Sequence, residues 1–196
     1  GDTKAKYDLK SSTKSIGVTA LGIALLDRKV QLDDLASKYH PSFGAPPSSN
    51  SETGWLEKIT LLHLATQTAG FGKPGGYEPL LFEPGTKWSY SDGGPNWLAE
   101  CLTLAYGRDL DELMFERFFT PLGIARADLS WRVNAYREKT INGIARREFG
   151  SGPEGIFLKR ASGGLAMTRE FPYVRRISAD EPRIYFAKAF VYSAAV

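Results

Sequence analysis

Between Ile16 and Leu26 the chain runs Ile-Gly-Val-Thr-Ala-Leu-Gly-Ile-Ala-Leu-Leu without a single charge. A segment that is apolar nearly all round has no solvent face, so it fits a helix enclosed by the rest of a core. Gly17 and Gly22 each cost about 1 kcal/mol against alanine inside a helix, which points to close packing against a neighbour. Asp27-Arg28-Lys29 ends the run, and Gly17 to Leu26 is too short to cross a bilayer. Directly before it stands Asp8-Leu9-Lys10-Ser11-Ser12-Thr13-Lys14-Ser15. With a helix from about Ser12 to Asp27, Ser11 and Lys14 lie one turn apart on a shared face.

That pairing has chemical meaning. A serine hydroxyl is a weak nucleophile that needs an adjacent base, and a partly desolvated lysine near a helix N-terminus can lose its proton. The free N–H groups of the same terminus favour an oxyanion on an attacked carbonyl. Ser-x-x-Lys arises by chance about once in a chain of this size, so its context carries the weight. It opens the apolar helix, and a second segment follows in order. There the turn Glu83-Pro84-Gly85 leads into Trp88-Ser89-Tyr90-Ser91-Asp92, and Gly93-Gly94-Pro95 gives the backbone freedom to present those side chains.

The rest of the composition narrows the function. With 196 residues, 42% of them hydrophobic, the chain can build one sizeable core, and a single domain over 1–196 is expected. A net charge of only +3 implies no nucleic-acid partner; Arg146-Arg147 and Arg175-Arg176 read as solvated surface. One cysteine, Cys101, excludes an internal disulfide and sits in an apolar helical run as a core residue. His40 and His63 have no partners at ligand spacing, so no metal is expected. No export leader or membrane span is visible, and no cofactor motif is found.

Several further elements are legible. Gln31 to Tyr39 reads as a short helix and Pro41 to Gly54 as a loop. A helix over Ile59–Gln67 has Thr60 as N-cap and Gly70 as its end, with His63 a hydrogen-bonded boundary residue. Helices are predicted over Asn96–Tyr106, ended by Gly107, and over Leu110–Phe119, stopped by Pro121-Leu122-Gly123. Ala127 to Glu148 gives a mixed signal. Arg160 to Thr168 reads as a glycine turn opening into a helix N-terminus, and Arg183 to Val196 as a strand or short buried helix.

Three segments in this order, Ser11-Ser12-Thr13-Lys14, Tyr90-Ser91-Asp92 and Ser162-Gly163-Gly164-Leu165, resemble the serine β-lactamase and penicillin-binding-protein superfamily. The class C β-lactamases, D,D-peptidases and related carboxylesterases are the branch most similar, and Ile59–Gly70 and Phe118–Gly123 resemble it too. The likeness spans roughly residues 8–168, with residues 169–196 a divergent tail. It implies an α+β fold, a helical region packed on an antiparallel sheet, with the Ser11 helix between them and the sheet incomplete in this chain. It implies Ser11 as acylated nucleophile, Lys14 as acceptor of its proton, and Tyr90 sharing that role with its pKa lowered by Lys14. Asp92 is the expected substrate-binding residue, a carboxylate where asparagine or serine is more usual and one that would hold Lys14 charged. Gln67 replaces a common histidine and is expected to be structural.

A small-molecule acyl substrate (a carboxylic ester, a β-lactam or a D-alanyl peptide) follows from the resemblance, with no metal or organic cofactor. It also implies a periplasmic or secreted protein. The Lys-Thr-Gly or His-x-Gly-like triad of the superfamily is not recognisable after Thr168. Two readings therefore stand from the sequence: a serine hydrolase working through an acyl-enzyme, or a catalytically silent or truncated homologue that binds without turnover.

Overall fold

The computed structural model describes residues 4–45, 47–73, 78–132, 161–163 and 165–168. Four α-helices and a small sheet make the framework: β1 (Tyr7–Asp8), α1 (Thr13–Leu26), α2 (Leu61–Thr66), α3 (Gly93–Tyr106), α4 (Leu110–Met114), β2 (Leu129–Trp131) and β3 (Leu165–Met167). Among the described residues the sheet is antiparallel with order β1-β3-β2. It stands at the N-terminus of α1, and helices dominate the remainder. This is the α+β arrangement expected from the sequence, with a short, open sheet.

Helix α3 is the axis of the core. Every residue from Gly93 to Thr103 is buried, and α3 packs against both α1 and α2. Gly107, at φ +64°, closes it by donating its N–H to Thr103 O at 2.9 Å, the left-handed stop that glycine allows. Cys101 is fully buried on this helix and its Sγ donates to Ala36 O; burial pushes the thiol far up and leaves it inert. Glu100 is equally buried and accepts from His40 Nε2 at 3.0 Å. Since His40 Nδ1 accepts the Ser42 N–H, the imidazole carries its proton on Nε2 and donates it to Glu100.

The structure corrects the sequence at several points. Helix α1 buries Ile16, Gly17, Ala20, Leu21, Ile23 and Ala24 but leaves Val18 and Leu26 exposed. A Cβ on Gly17 would touch Ala161, whereas Gly22 has no neighbour close by; only the first packs as expected. Gln31–Tyr39 is not a helix beyond the single turn Ala36–Lys38. Its carbonyls are claimed instead by the following segment, with Leu62 N–H on Leu32 O and Leu61 N–H on Asp34 O. Tertiary pairing there overrides local propensity.

Helix α2 begins at Thr60, whose hydroxyl accepts the His63 N–H while His63 Nδ1 accepts the Thr60 N–H, a capping box. It ends at Gln67, φ +63°, rather than Gly70. Leu110–Phe119 is helical but widens to a π-helical stretch over Phe115–Phe119. The segment before Thr168 is strand, not helix start. Leu165–Met167 is paired on both edges, by Tyr7–Asp8 and by Leu129–Trp131. The expectations for Arg146-Arg147, Arg175-Arg176 and Arg183–Val196 lie outside the described residues. No helix among the described residues is long and apolar enough to cross a membrane.

Candidate active site

Ser11 lies in a 3-10 turn, Lys10–Ser12, that runs straight into α1. Lys10 adopts φ +49°, a region disfavoured for residues with a Cβ, and Asp8 Oδ1 holds it by accepting its N–H at 2.9 Å. The Leu9 N–H donates to Leu165 O at 2.8 Å, so the sheet clamps the turn just before the helix starts. Strain of this kind persists where the surroundings over-determine it. Ser11 itself stays exposed.

One turn on, Lys14 is partly buried and its Nζ donates to three oxygens: Ser11 Oγ at 3.3 Å, Asp92 Oδ1 at 2.7 Å and Ser162 O at 3.0 Å. Nζ also lies 4.6 Å from the centroid of the Tyr90 ring, and Lys73 Nζ lies 4.3 Å from the same centroid. Burial works to raise the Tyr90 phenol. Hydrogen bonds with Ser11 and Lys14 and the charges of Lys14 and Lys73 outweigh it, so the phenol ionises below its usual range. The structure thus brings Ser11, Lys14, Tyr90 and Asp92 to one place. Asp92, expected to bind substrate, stands at the N-cap position of α3 with its carboxylate on Lys14.

Of the residues that hold this cluster, only Gln67 was singled out from the sequence. Gln67, at the end of α2, accepts both the Ser91 N–H and the Ser91 hydroxyl through Oε1 at 2.9 Å, and its Nε2 donates to Ser91 O at 3.3 Å. Tyr90 and Asp92 flank that pinned serine, so the structural role expected for Gln67 has a definite content. Asn96, fully buried in the first turn of α3, accepts the N–H groups of Ala161 and Ser162 through Oδ1, each at 2.9 Å. It thereby aims Ser162 O at Lys14. The one signal for Asn96 was an amide beside Trp97 in a largely apolar helix. Lys73 and Glu78 gave none.

A groove of about 690 Å³ runs along the open face of α1, lined by Lys14, Val18, Gly22, Leu26, Gln67 and Phe118. It meets the cluster only through Lys14, and Ser11 is outside it, so it is not the cleft of the reacting atoms. Among the described residues no group of His, Cys, Asp and Glu could hold a metal ion. What the arrangement can do is acyl chemistry: an exposed hydroxyl, an ammonium and an easily ionised phenol converge where a carbonyl can approach.

A family model described as Beta-lactamase matches residues 2–170. Among solved structures, simvastatin synthase (LovD) from Aspergillus terreus, in its LovD6 mutant form, superposes with a TM-score of 0.59 at 19% identity, over 86% of this chain and 50% of its own. The octameric penicillin-binding protein homologue from Pyrococcus abyssi gives 0.59 at 17%, over 86% and 43%. The D-alanine carboxypeptidase AmpC from Burkholderia cenocepacia gives 0.57 at 22%, over 85% and 47%. The chain spans about half the length of these solved chains, and the likeness is one of fold. No curated protein matches the chain significantly.

Proposed function

The chain belongs to the Beta-lactamase family, and from that membership we propose that it is a serine hydrolase acting through an acyl-enzyme, with Ser11 as nucleophile. The observation that carries the reading is Lys14 Nζ, held between Ser11 Oγ and Asp92 beneath the Tyr90 ring. A nitrogen donating to three oxygens, one of them an anion at 2.7 Å, is an ammonium and not a free amine base. The proton of Ser11 therefore goes to Tyr90, whose phenol is the group driven toward ionisation.

In acylation, Ser11 Oγ attacks the acyl carbonyl as its proton passes to the Tyr90 phenolate. The tetrahedral oxyanion collapses, the bond from carbonyl carbon to leaving group breaks, and Tyr90 returns the proton to the departing oxygen or nitrogen. Water then attacks the Ser11 ester, passing a proton to the Tyr90 phenolate; the bond from the carbonyl carbon to Ser11 Oγ breaks, Tyr90 returns the proton to Ser11 Oγ, and the acid is released. Lys14 keeps its proton throughout and supplies field, stabilising the phenolate before attack and the serine oxygen during it. Asp92 fixes Lys14. The substrate class is an ester or amide of a small acyl group: a carboxylic ester, a β-lactam or a D-alanyl peptide.

The same ion pair favours a second reading, a catalytically silent homologue, because Asp92 draws the ammonium toward itself and away from the reacting centre. Intact mass after exposure to a fluorophosphonate, and separately to a penicillin, decides between the two on wild type and Ser11→Ala. A single adduct that vanishes in Ser11→Ala is the expected result. No adduct on folded wild type rejects the hydrolase and leaves the silent homologue.

A further inference from the structure

The mechanism leaves one buried carboxyl beside the site unused. Glu78 is 2% exposed, and its main chain is tied to Asn50. Asn50 Nδ2 donates to Glu78 O at 3.1 Å and to Gly44 O at 2.9 Å, while Asn50 Oδ1 accepts the Leu80 N–H at 2.8 Å. Fixed in this way, Glu78 Oε1 accepts the N–H of Gly93, the first residue of α3, at 3.2 Å. Among the described residues its Oε2 is buried without a hydrogen-bond partner, a poor setting for a full negative charge.

The charged group that faces Glu78 is Asp92, which precedes Gly93 at the N-cap of α3. Lys14 of α1 meets the Asp92 carboxylate, and Lys73 Nζ lies 4.3 Å from the centroid of the Tyr90 ring. Burial, and then the negative charge of Asp92, push the Glu78 carboxyl up to about 7. Its charge therefore changes in the middle of the physiological range.

We propose that Glu78 is a positioning residue which, through Gly93 and Asp92, sets the field that Lys14 offers to Ser11 and Tyr90. The inference rests on the acyl-enzyme reading. When Glu78 is neutral, Asp92 is the carboxylate that balances the Lys14 ammonium, and the remaining positive field stabilises the Tyr90 phenolate. When Glu78 loses its proton to solvent, a second anion offsets part of that field and the phenolate is less favoured. The neutral state prevails below the Glu78 pKa and the inhibitory state above it.

Glu78→Gln isolates the effect, because glutamine keeps the acceptor for the Gly93 N–H and is neutral at every pH. The assay is the pH profile of the rate of fluorophosphonate labelling. Wild type and Glu78→Gln are expected to coincide below about pH 6, and above about pH 8 the variant is labelled about three- to ten-fold faster. Profiles in constant ratio across the range overturn the proposal, since a purely structural role scales the rate without bending it. If wild type is not labelled at any pH, the acyl-enzyme reading fails, and NMR titration of the Tyr90 ring carbon bearing the hydroxyl decides separately. Tyr90 is expected to ionise at lower pH in Glu78→Gln, and identical titrations overturn the coupling. Glu78→Met, neutral and of similar volume, replaces Glu78→Gln if the amide does not fold.

Discussion

Replacing Asn96 by alanine tests whether α3 and the segment ending in Ser162 are one rigid support for Lys14. Asn96 Oδ1 accepts two main-chain N–H groups, from Ala161 and Ser162, at 2.9 Å each, in a site with no solvent exposure. Each buried donor that loses its acceptor costs about 1–3 kcal/mol, so the pair loses about 2–6 kcal/mol. Part of this is returned, because among the described residues Asn96 Nδ2 is itself buried without a partner and its removal relieves about 1 kcal/mol of desolvation. The net expectation is a loss of about 1–5 kcal/mol, a fall of about 2–20 °C in Tm for a domain of this size.

The functional consequence of Asn96→Ala is separable from the loss of stability. Ser162 O is one of the three acceptors of the Lys14 ammonium, and with Asn96 gone that carbonyl is no longer aimed. Labelling of Ser11, measured well below the Tm of both proteins, is expected to slow by about tenfold, the rate equivalent of about 1.4 kcal/mol of lost positioning. Calorimetry gives the first quantity and the time course of adduct mass gives the second. A loss under about 0.5 kcal/mol, typical of a surface substitution, together with an unchanged labelling rate, refutes the reasoning at both steps.

Two further substitutions probe other supports. Tyr90→Phe keeps the ring beneath Lys14 and Lys73 but removes the phenol, so Ser11 labelling is expected to fall about 10²-fold or more while thermal unfolding shifts little; a variant labelled at the wild-type rate would exclude Tyr90 as the proton acceptor. Gly70 has φ +100°, and a Cβ there would lie 2.3 Å from the main-chain oxygen of Phe82, so Gly70→Ala is expected to lose about 2–4 kcal/mol in thermal unfolding. A Tm within 2 °C of wild type, on the order of the shift from 0.5 kcal/mol, would show that the pairing of Gly70 with Leu81 and Phe82 is not rigid.

What could be read from the sequence was whatever a local pattern encodes. The spacing of Ser11 and Lys14 places them one turn apart because a helix follows, and that helix forms over Thr13–Leu26. Thr60 and Gly107 announce a helix start and a helix stop through chemistry that depends on a residue and its near neighbours. Leu165–Met167 escaped for the opposite reason: its strand state is decided by Tyr7–Asp8 and Leu129–Trp131, segments that nothing within Arg160–Thr168 encodes. The Gln31–Tyr39 segment failed likewise, once Leu61 and Leu62 took the carbonyls of Asp34 and Leu32.

The site divides along the same line. Ser11, Lys14, Tyr90 and Asp92 carry reactive groups in recognisable order, so a chemical reading of the sequence finds them. Asn96, Gln67 and Glu78 carry ordinary amides and a carboxylate, and what they do depends on burial and on a partner far along the chain. Asn96 reaches Ser162 across 66 positions, and Gln67 reaches Ser91 across 24. Asp92 belongs to both groups. Its place beside Tyr90 marks it in the sequence, where the resemblance already set its carboxylate near Lys14, and the fold gives that contact its geometry, 2.7 Å across 78 positions. That single contact changes the chemistry inferred for the site. In the proposed reaction the ion pair with Asp92 occupies Lys14, so the proton of Ser11 is assigned to the Tyr90 phenol, which lies within reach of two lysines.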